Sequence, residues 1–317
     1  MGRASKLAEL AGSYGTGGFV GMKNRIINGL MTINQRALTG PTSGYFVDRW
    51  QVGGVSSTAL QTSGLPAGYT QAISIYRNVA GAAYALQNIE SKNIVDCVNQ
   101  QVTVSLLGKN VSGISSITVE LSYANSSDNF GSVTPIQTVT ASASPSGAWA
   151  PYYAVFNALP ANAANGLQVK VNAVTASGGT LELTGVQLEK GSTATPFEFR
   201  QYGTELALCQ RYLPAFLAGS NSFFGSALSS TQQYVSVNFP VQTRVAPTGL
   251  SISSASHFTV GDYISAAGPC TSMSLSIAGI NNASVIANIA SGLTQARPGN
   301  MLANTASAVL LFTGCEL

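Results

Sequence analysis

Three observations predict an all-β chain. Short runs of alternating apolar and polar residues recur from residue 24 to near residue 313. Gly, Pro, Asn and Ser punctuate those runs, and no long helical pattern separates them. Period-two alternation turns one face of a strand into a core and the other toward solvent, so many such strands without long helices make a two-sheet sandwich. At 317 residues the chain has room for two domains, each able to bury a core. The expected organisation is an N-terminal segment at 1–23, a β-sandwich at 24–200, and a linker helix with a smaller β-rich C-terminal domain at 201–317.

Taken in order, residues 5–11 read as a short helix with Leu7 and Leu10 three apart, ending at Gly12. A helix that short is not stable alone in water, so Leu7 and Leu10 are expected to sit on a partner surface. The glycines from Gly15 to Gly21 read as a flexible connector. They lack the spacing of a phosphate-binding loop, and a helix rather than a strand precedes them. The start of the chain has no apolar signal-peptide core and no apolar run reaches about 18 residues. A soluble chain with a functional first segment is therefore expected, without membrane insertion.

Within 24–200 the clearest strands are 101–106, 116–123, 152–156 and 167–174. A helix follows at 204–212, with Thr204 as its cap and Glu205 in the first turn, marking the passage to the second domain. Beyond it, 233–241 alternates cleanly, whereas 306–313 is apolar on both faces. A strand apolar on both sides must be covered twice, which makes Leu310 and Phe312 candidates for a contact with another copy of the chain.

Only 9% of residues are charged, far below the usual value of about 25%, and the net charge is +3. The basic residues are scattered, which sets nucleic acid aside as a partner. Cys97, Cys209, Cys270 and Cys315 form no C-x-x-C pair and read as buried thiols of a protein folded in a reducing cytoplasm. No calcium loop or zinc spacing occurs, so neither metal nor cofactor is expected.

The single histidine, His257, lies near Asp262, but no nucleophile elbow accompanies it, and a surface or interface histidine is the reading. Glycan hydrolysis needs two facing carboxylates. Of the 12 acids, Asp48, Glu189, Glu198 and Glu205 have structural readings, which leaves Glu90, Asp96 and Glu120 as candidates that the sequence does not bring together. No β-helix repeat is present. The expectation is no enzyme and no catalytic residue. Sugar recognition fits better, since aromatic rings stack on pyranoses while amides and hydroxyls hydrogen-bond them. Trp149, Tyr152 and Tyr76 are the candidate glycan contacts, with Tyr69 and Tyr84 in reserve. Trp50 and Phe156 read as core, and alternation lets only one of Tyr152 and Tyr153 point outward. Phe223, Phe224 and Tyr234 are similar candidates in the second domain.

Two stretches carry a resemblance. Gly179-Thr180-Leu181-Glu182-Leu183-Thr184-Gly185-Val186-Gln187-Leu188-Glu189-Lys190-Gly191, continuing through Thr195-Pro196-Phe197-Glu198-Phe199-Arg200 to Tyr212, resembles a signature of bacteriophage tail-fibre and tail-appendage proteins. Asn24-Arg25-Ile26-Ile27-Asn28-Gly29-Leu30-Met31-Thr32-Ile33-Asn34-Gln35-Arg36, followed by Tyr45-Phe46-Val47-Asp48-Arg49-Trp50, resembles the opening strand of a jelly roll similar to carbohydrate-binding modules. The resemblance implies a jelly-roll sandwich in a non-enzymatic virion protein, made in the host bacterial cytoplasm and acting as a homotrimer. It implies that the N-terminus joins other tail or virion proteins while the body contacts host surface glycan for adsorption. A purely architectural head fibre or tail connector, and a glycan-depolymerising tailspike, are the alternatives. Such jelly rolls often hold a structural calcium near their first and last strands. The matching zones, Asn28-Gly29 and 182–189, are poor in acids, so the metal is not expected.

Overall fold

The structure, a computed structural model, describes residues 22–217, 222–262 and 268–317. The expected N-terminal helix with Leu7 and Leu10 lies outside the described residues. The chain is all-β, with a single α-helix among the described residues.

Nine strands build the sandwich: β1 (Gly44–Tyr45), β2 (Gln51–Gly53), β3 (Ser57–Gln61), β4 (Ala72–Arg77), β5 (Gly81–Ile89), β6 (Val102–Ser126), β7 (Asn129–Thr140), β8 (Ala150–Phe156) and β9 (Leu167–Lys190). The two long strands, β6 and β9, pair antiparallel along their whole length, from Tyr123↔Leu167 to Val102↔Lys190. Their far halves form a first sheet in the order β1-β2-β5-β9-β6-β7. Their near halves form a second, β3-β4-β9-β6-β8. The strands expected at 101–106 and 116–123 are thus two ends of one strand that changes sheet.

The change happens at a corner where the register slips repeatedly between Ser105 and Ser116. Gly113 there has φ +63°, and a Cβ on it would lie 2.1 Å from the carbonyl oxygen of Gly178, itself at φ +124°. Only glycine combines that backbone conformation with so close a chain crossing.

Between the sheets, inward residues such as Ile75, Leu106, Val119, Val171 and Leu183 form one core with Trp50 and Phe156. Both aromatics are fully buried, as their sequence context led us to expect. Each large apolar side chain so buried contributes about 1.5–3 kcal/mol.

Residues 24–36 are not the expected opening strand. Asn28 and Met31 take positive φ (56° and 61°), which breaks a ladder. Side chains satisfy the backbone instead. The Asn28 amide donates to the carbonyls of Ile33 and Asp48 while its oxygen accepts from Ile33 N–H. Gln87, fully buried on β5, bonds both backbone groups of Ile27 at 2.7 and 2.8 Å. Ile26 and Met31 are thereby pressed into the sandwich core.

The charged residues of the 185–200 motif clip this segment in place. Glu189 accepts from the N–H and hydroxyl of Thr195, Glu198 accepts from the backbone N–H groups of Lys23 and Asn24, and Arg200 donates to the carbonyls of Asn24 and Ile26. Helix α1 (Tyr202–Gln210) begins two residues earlier than expected. Gln201 is its cap residue and no side chain caps it, so Thr204 is a helical residue rather than the cap. Glu205 does lie in the first turn, where it accepts from Asn28 N–H and pairs with Arg200. Just past the helix, the buried Glu90 carboxylate accepts from Arg211 and from the Tyr212 hydroxyl, each at 2.9 Å. The Arg49 guanidinium stacks 3.7 Å from the centre of the Tyr212 ring. A buried carboxylate needs such partners.

The remaining strands are β10 (Ala215–Leu217), β11 (Ser222–Ala227), β12 (Gln232–Asn238), β13 (Gly249–Ile252), β14 (Phe258–Asp262), β15 (Gly268–Pro269), β16 (Ser272–Ala278), β17 (Asn282–Asn288), β18 (Pro298–Ala303) and β19 (Val309–Thr313). A three-stranded sheet, β10-β19-β13, packs on a seven-stranded one, β15-β14-β18-β11-β12-β17-β16. Here the reading of Leu310 and Phe312 as an oligomer contact is corrected, because both are 0% exposed within one chain. They pack against the inner face of the large sheet, with the Phe239 ring 5.0 Å from that of Phe312. Leu311, on the other face of the strand, meets Leu213 and Ala215. The chain supplies both covers itself. All four cysteines are buried free thiols.

Candidate functional site

Period-two alternation on β5, β9 and β6 leaves three outward rows across the first sheet, set by pairing register. One runs Gly53–Tyr84–Asn172–Thr118–Thr140, the next Gln51–Leu86–Lys170–Glu120–Thr138, and the third Asn88–Gln168–Ser122. Tyr84 lies flat over Gly53, where any Cβ would fall 2.2 Å from its hydroxyl oxygen. Lys170 Nζ sits 5.0 Å from the centre of the Tyr84 ring and 3.2 Å from Glu120 Oε2, so the one cation and the one anion of these rows neutralise each other. The amides are linked as well. Asn172 donates to Thr118 Oγ1 at 3.3 Å, and Gln168 to Asn88 Oδ1 at 2.9 Å.

The third row ends in a recess of about 420 Å³. Its walls are Gln51, Leu86, Asn88 and Gln168 from the sheet, the 128–131 turn between β6 and β7 with Phe130, and Glu316 and Leu317 arriving from the C-terminal region. Tyr45 Oη and Asn88 Nδ2 hold the carbonyl of Leu317 at 2.9 and 3.0 Å, which fixes that wall. Glu316 pairs with Arg36, and burial still pushes its carboxyl up to about 7. The face offers the Tyr84 ring, the Gln168 amide and a balanced charge pair, while Asn88, Asn172 and Ser122 are buried; the recess adds Gln51, Phe130 and the carboxylates of Asp128 and Glu316. An aromatic ring beside amides suits hydroxyl-rich ligands.

The three leading aromatics named from sequence, Trp149, Tyr152 and Tyr76, lie on or beside the other sheet. Tyr152 faces inward opposite Leu106, is 1% exposed and accepts from Ser146 N–H with its hydroxyl. This corrects its reading as a glycan contact; Tyr153 is the outward neighbour. Trp149 is half-buried and donates Nε1–H to the Gly64 carbonyl at 2.8 Å, tying down the loop after β3. Tyr76 is exposed at the end of β4, opposite Ser57 and Thr180. Tyr69 packs against Phe197 and Phe199. Tyr76 and Trp149 belong to the second sheet and its loops, whereas the rows around Tyr84 cross the first.

Sequence reasoning had named Tyr84 and Glu120 separately but not as neighbours, and it missed Lys170, Asn172 and Gln168. The available signal was the outward half of the Leu167–Val174 alternation, where the long polar residues Gln168, Lys170 and Asn172 fall on one side.

The three loose carboxylates are each engaged by a different cation: Glu90 by Arg211, Asp96 by Arg25 and Glu120 by Lys170. His257 takes Ser253 Oγ at Nδ1, 2.9 Å, while Asp262 pairs with Arg297. Among the described residues no group of three or more His, Cys, Asp or Glu could hold a metal ion, and no helix is long and apolar enough to cross a membrane.

No family model matches the sequence, and no curated protein matches it. Among solved structures, the xylan-binding module of Paenibacillus barcinonensis xylanase 10C is similar at 16% identity, over 50% of this chain and 99% of that one, with a TM-score of 0.34. The Clostridium thermocellum xylanase 10B fragment complexed with xylohexaose is similar at 15% identity, over 51% of this chain and 30% of that one, TM-score 0.34. Tailspike protein 4 of bacteriophage CBA120 is similar at 15% identity, over 53% of this chain and 22% of that one, TM-score 0.34.

Proposed function

We propose that this chain is a non-enzymatic glycan-binding protein of a bacteriophage virion, a tail fibre or appendage that contacts host surface glycan during adsorption. The observation that carries the glycan reading is the outward face around Tyr84: an aromatic ring beside amides and a neutralised ion pair, leading into a recess with further amides and Phe130. The virion assignment rests on the resemblance of the 179–212 stretch to phage tail proteins. In this reading the N-terminal segment joins other virion proteins and the working form is a homotrimer, in which three weak sites multiply avidity.

Glycan-array and whole-cell binding by the purified full-length protein tests the reading, with Tyr84→Ala as the site variant. Binding is expected to weaken about tenfold in that variant, and to change little between low and physiological salt, because the only charges on these rows cancel. Absence of binding to any glycan points to the architectural alternative. Release of reducing sugar from a bound polysaccharide points to a depolymerase.

A further inference from the structure

A recess of about 840 Å³ opens beside Met22, where the described chain begins. Lysines scattered along the sequence meet there. Of the five lysines among the described residues, Lys109 and Lys170 are neutralised by Glu182 and Glu120. The other three, Lys23, Lys92 and Lys190, pair with no carboxylate, and all three line this recess. They come from distant parts of the chain: Lys23 from the segment that opens the sandwich, Lys92 from the turn after β5, and Lys190 from the last position of β9.

The acids at the recess do not cancel them. Asp96 is taken by Arg25 at 2.6 Å, and Glu189 accepts from Thr195 and Gln187. Lys92 and Lys190 are exposed and bond nothing in the chain, while Lys23 Nζ rests on the Pro196 carbonyl at 2.8 Å. The frame beneath is fixed. Arg25 donates its backbone N–H to the Leu188 carbonyl at 2.8 Å while its guanidinium holds Asp96, which ties the opening segment to β9 and to the 95–97 turn. Part of the wall is apolar, with Val95 59% and Met22 44% exposed.

Those properties select the occupant. Unpaired ammonium groups act as point charges, and three of them call for several negative groups rather than one. Exposed Val95 and Met22 call for apolar side chains between those charges. The recess also stands at the root of residues 1–21, which in the reading above join the chain to other virion proteins. Those residues, with Arg3 and Lys6 against Glu9, bring no net negative charge of their own to it. We propose that this recess docks an acidic segment, carboxylates interspersed with apolar residues, of the virion protein that the N-terminus joins. Which protein supplies the segment rests on that reading; the binding chemistry does not.

Fluorescence anisotropy with the full-length protein tests this, using a labelled hexapeptide of alternating glutamate and leucine, and the same peptide with glutamine for glutamate as the neutral control. The acidic peptide should bind at low ionic strength and weaken several-fold at physiological salt, the reverse of what the outer face should show. Lys92→Gln and Lys190→Gln, exposed positions with no bonds to lose, should each weaken it about threefold and together about tenfold, with an unchanged thermal melt. Lys109→Gln, which does not line the recess, should leave it unchanged. The proposal is overturned if the acidic peptide does not bind, if the glutamine peptide binds equally well, or if the double variant binds like wild type. It is also overturned if trigalacturonate or hexathymidylate displaces the probe more effectively than unlabelled peptide does, which would give the recess to an acidic saccharide or to nucleic acid. The virion reading fails separately: absence of the chain from purified particles would sink it and leave the acidic-peptide site standing.

Discussion

Replacing Gly53 by Ala should displace Tyr84 without unfolding the sheet. Gly53 pairs with Tyr84 across β2 and β5, and it is not among the residues with positive φ, so alanine suits its backbone. The new Cβ would stand 2.2 Å from Tyr84 Oη and 2.4 Å from Cζ. Non-bonded contact needs about 3.5 Å, so the ring must move by more than about 1 Å, and its free end on the open face can do so. Alanine gains about 0.5–1 kcal/mol over glycine in a strand, and a shifted Tyr84 rotamer costs about 0.5–1.5 kcal/mol, which leaves stability within about 1 kcal/mol of wild type. Binding is different. Loss of a stacked ring worth about 1–1.5 kcal/mol lowers affinity about tenfold. The check is a thermal melt alongside glycan-array binding of variant and wild type. Tyr84→Phe, which keeps the ring, should bind nearly as well as wild type. A Gly53→Ala protein that melts normally and binds with unchanged affinity would refute the placement of the ligand on this face.

Trp50→Ala removes a fully buried indole and its hydrogen bond to the Asn28 carbonyl, so urea denaturation should show a loss of about 3–5 kcal/mol; a shift under 1 kcal/mol would contradict the core assignment. Gly113→Ala meets both a positive φ and a carbonyl oxygen at 2.1 Å, and should lower the urea midpoint by an amount equivalent to at least about 2 kcal/mol, whereas a neutral result would mean the corner can relax. Glu316 has its folded pKa raised to about 7 from 4.5, so the unfolded chain releases this proton first and the group's contribution to stability falls as pH rises from about 4.5 to about 7, then levels off. The slope is at most about 1.4 kcal/mol per pH unit, and Glu316→Gln should flatten the stability profile over that window; an identical profile in the variant would assign the dependence elsewhere.

The β class and most strands were legible because alternation is local. What was not legible depended on register. Residues 107–113 lose alternation because Gly108 and Gly113 belong to a corner, and the break looks in the sequence like the end of one strand and the start of another. Tyr152 and Tyr153 are equivalent until the pairing Leu106↔Tyr152 decides which faces the core. Likewise the ion pair Lys170–Glu120 and the ring of Tyr84 meet only because β9 lies between β5 and β6, a neighbourhood made by strand order. The run Val309–Thr313 announces two covers correctly, but the large sheet and the segment at Leu213 provide them where another copy of the chain was expected. The 24–36 segment has strand-like apolar spacing, and only the side-chain bonding of Asn28 and Gln87 shows that it is not a strand.

Sharing β6 and β9 between the two sheets has a consequence for how the sandwich comes apart. In a sandwich joined only by loops, one sheet could open while the other stays paired. Here the ladder from Tyr123↔Leu167 to Val102↔Lys190 runs through both, and its partners are separated by 44 to 88 positions along the chain. Pairing of β6 with β9 in one sheet brings the same two strands side by side at the corner, ready to pair in the other. Assembly must close that long loop before any of the core is rewarded, which makes folding slow for a domain of this size and unfolding all-or-none. Amide protons at the centres of both sheets should accordingly exchange through one common global opening.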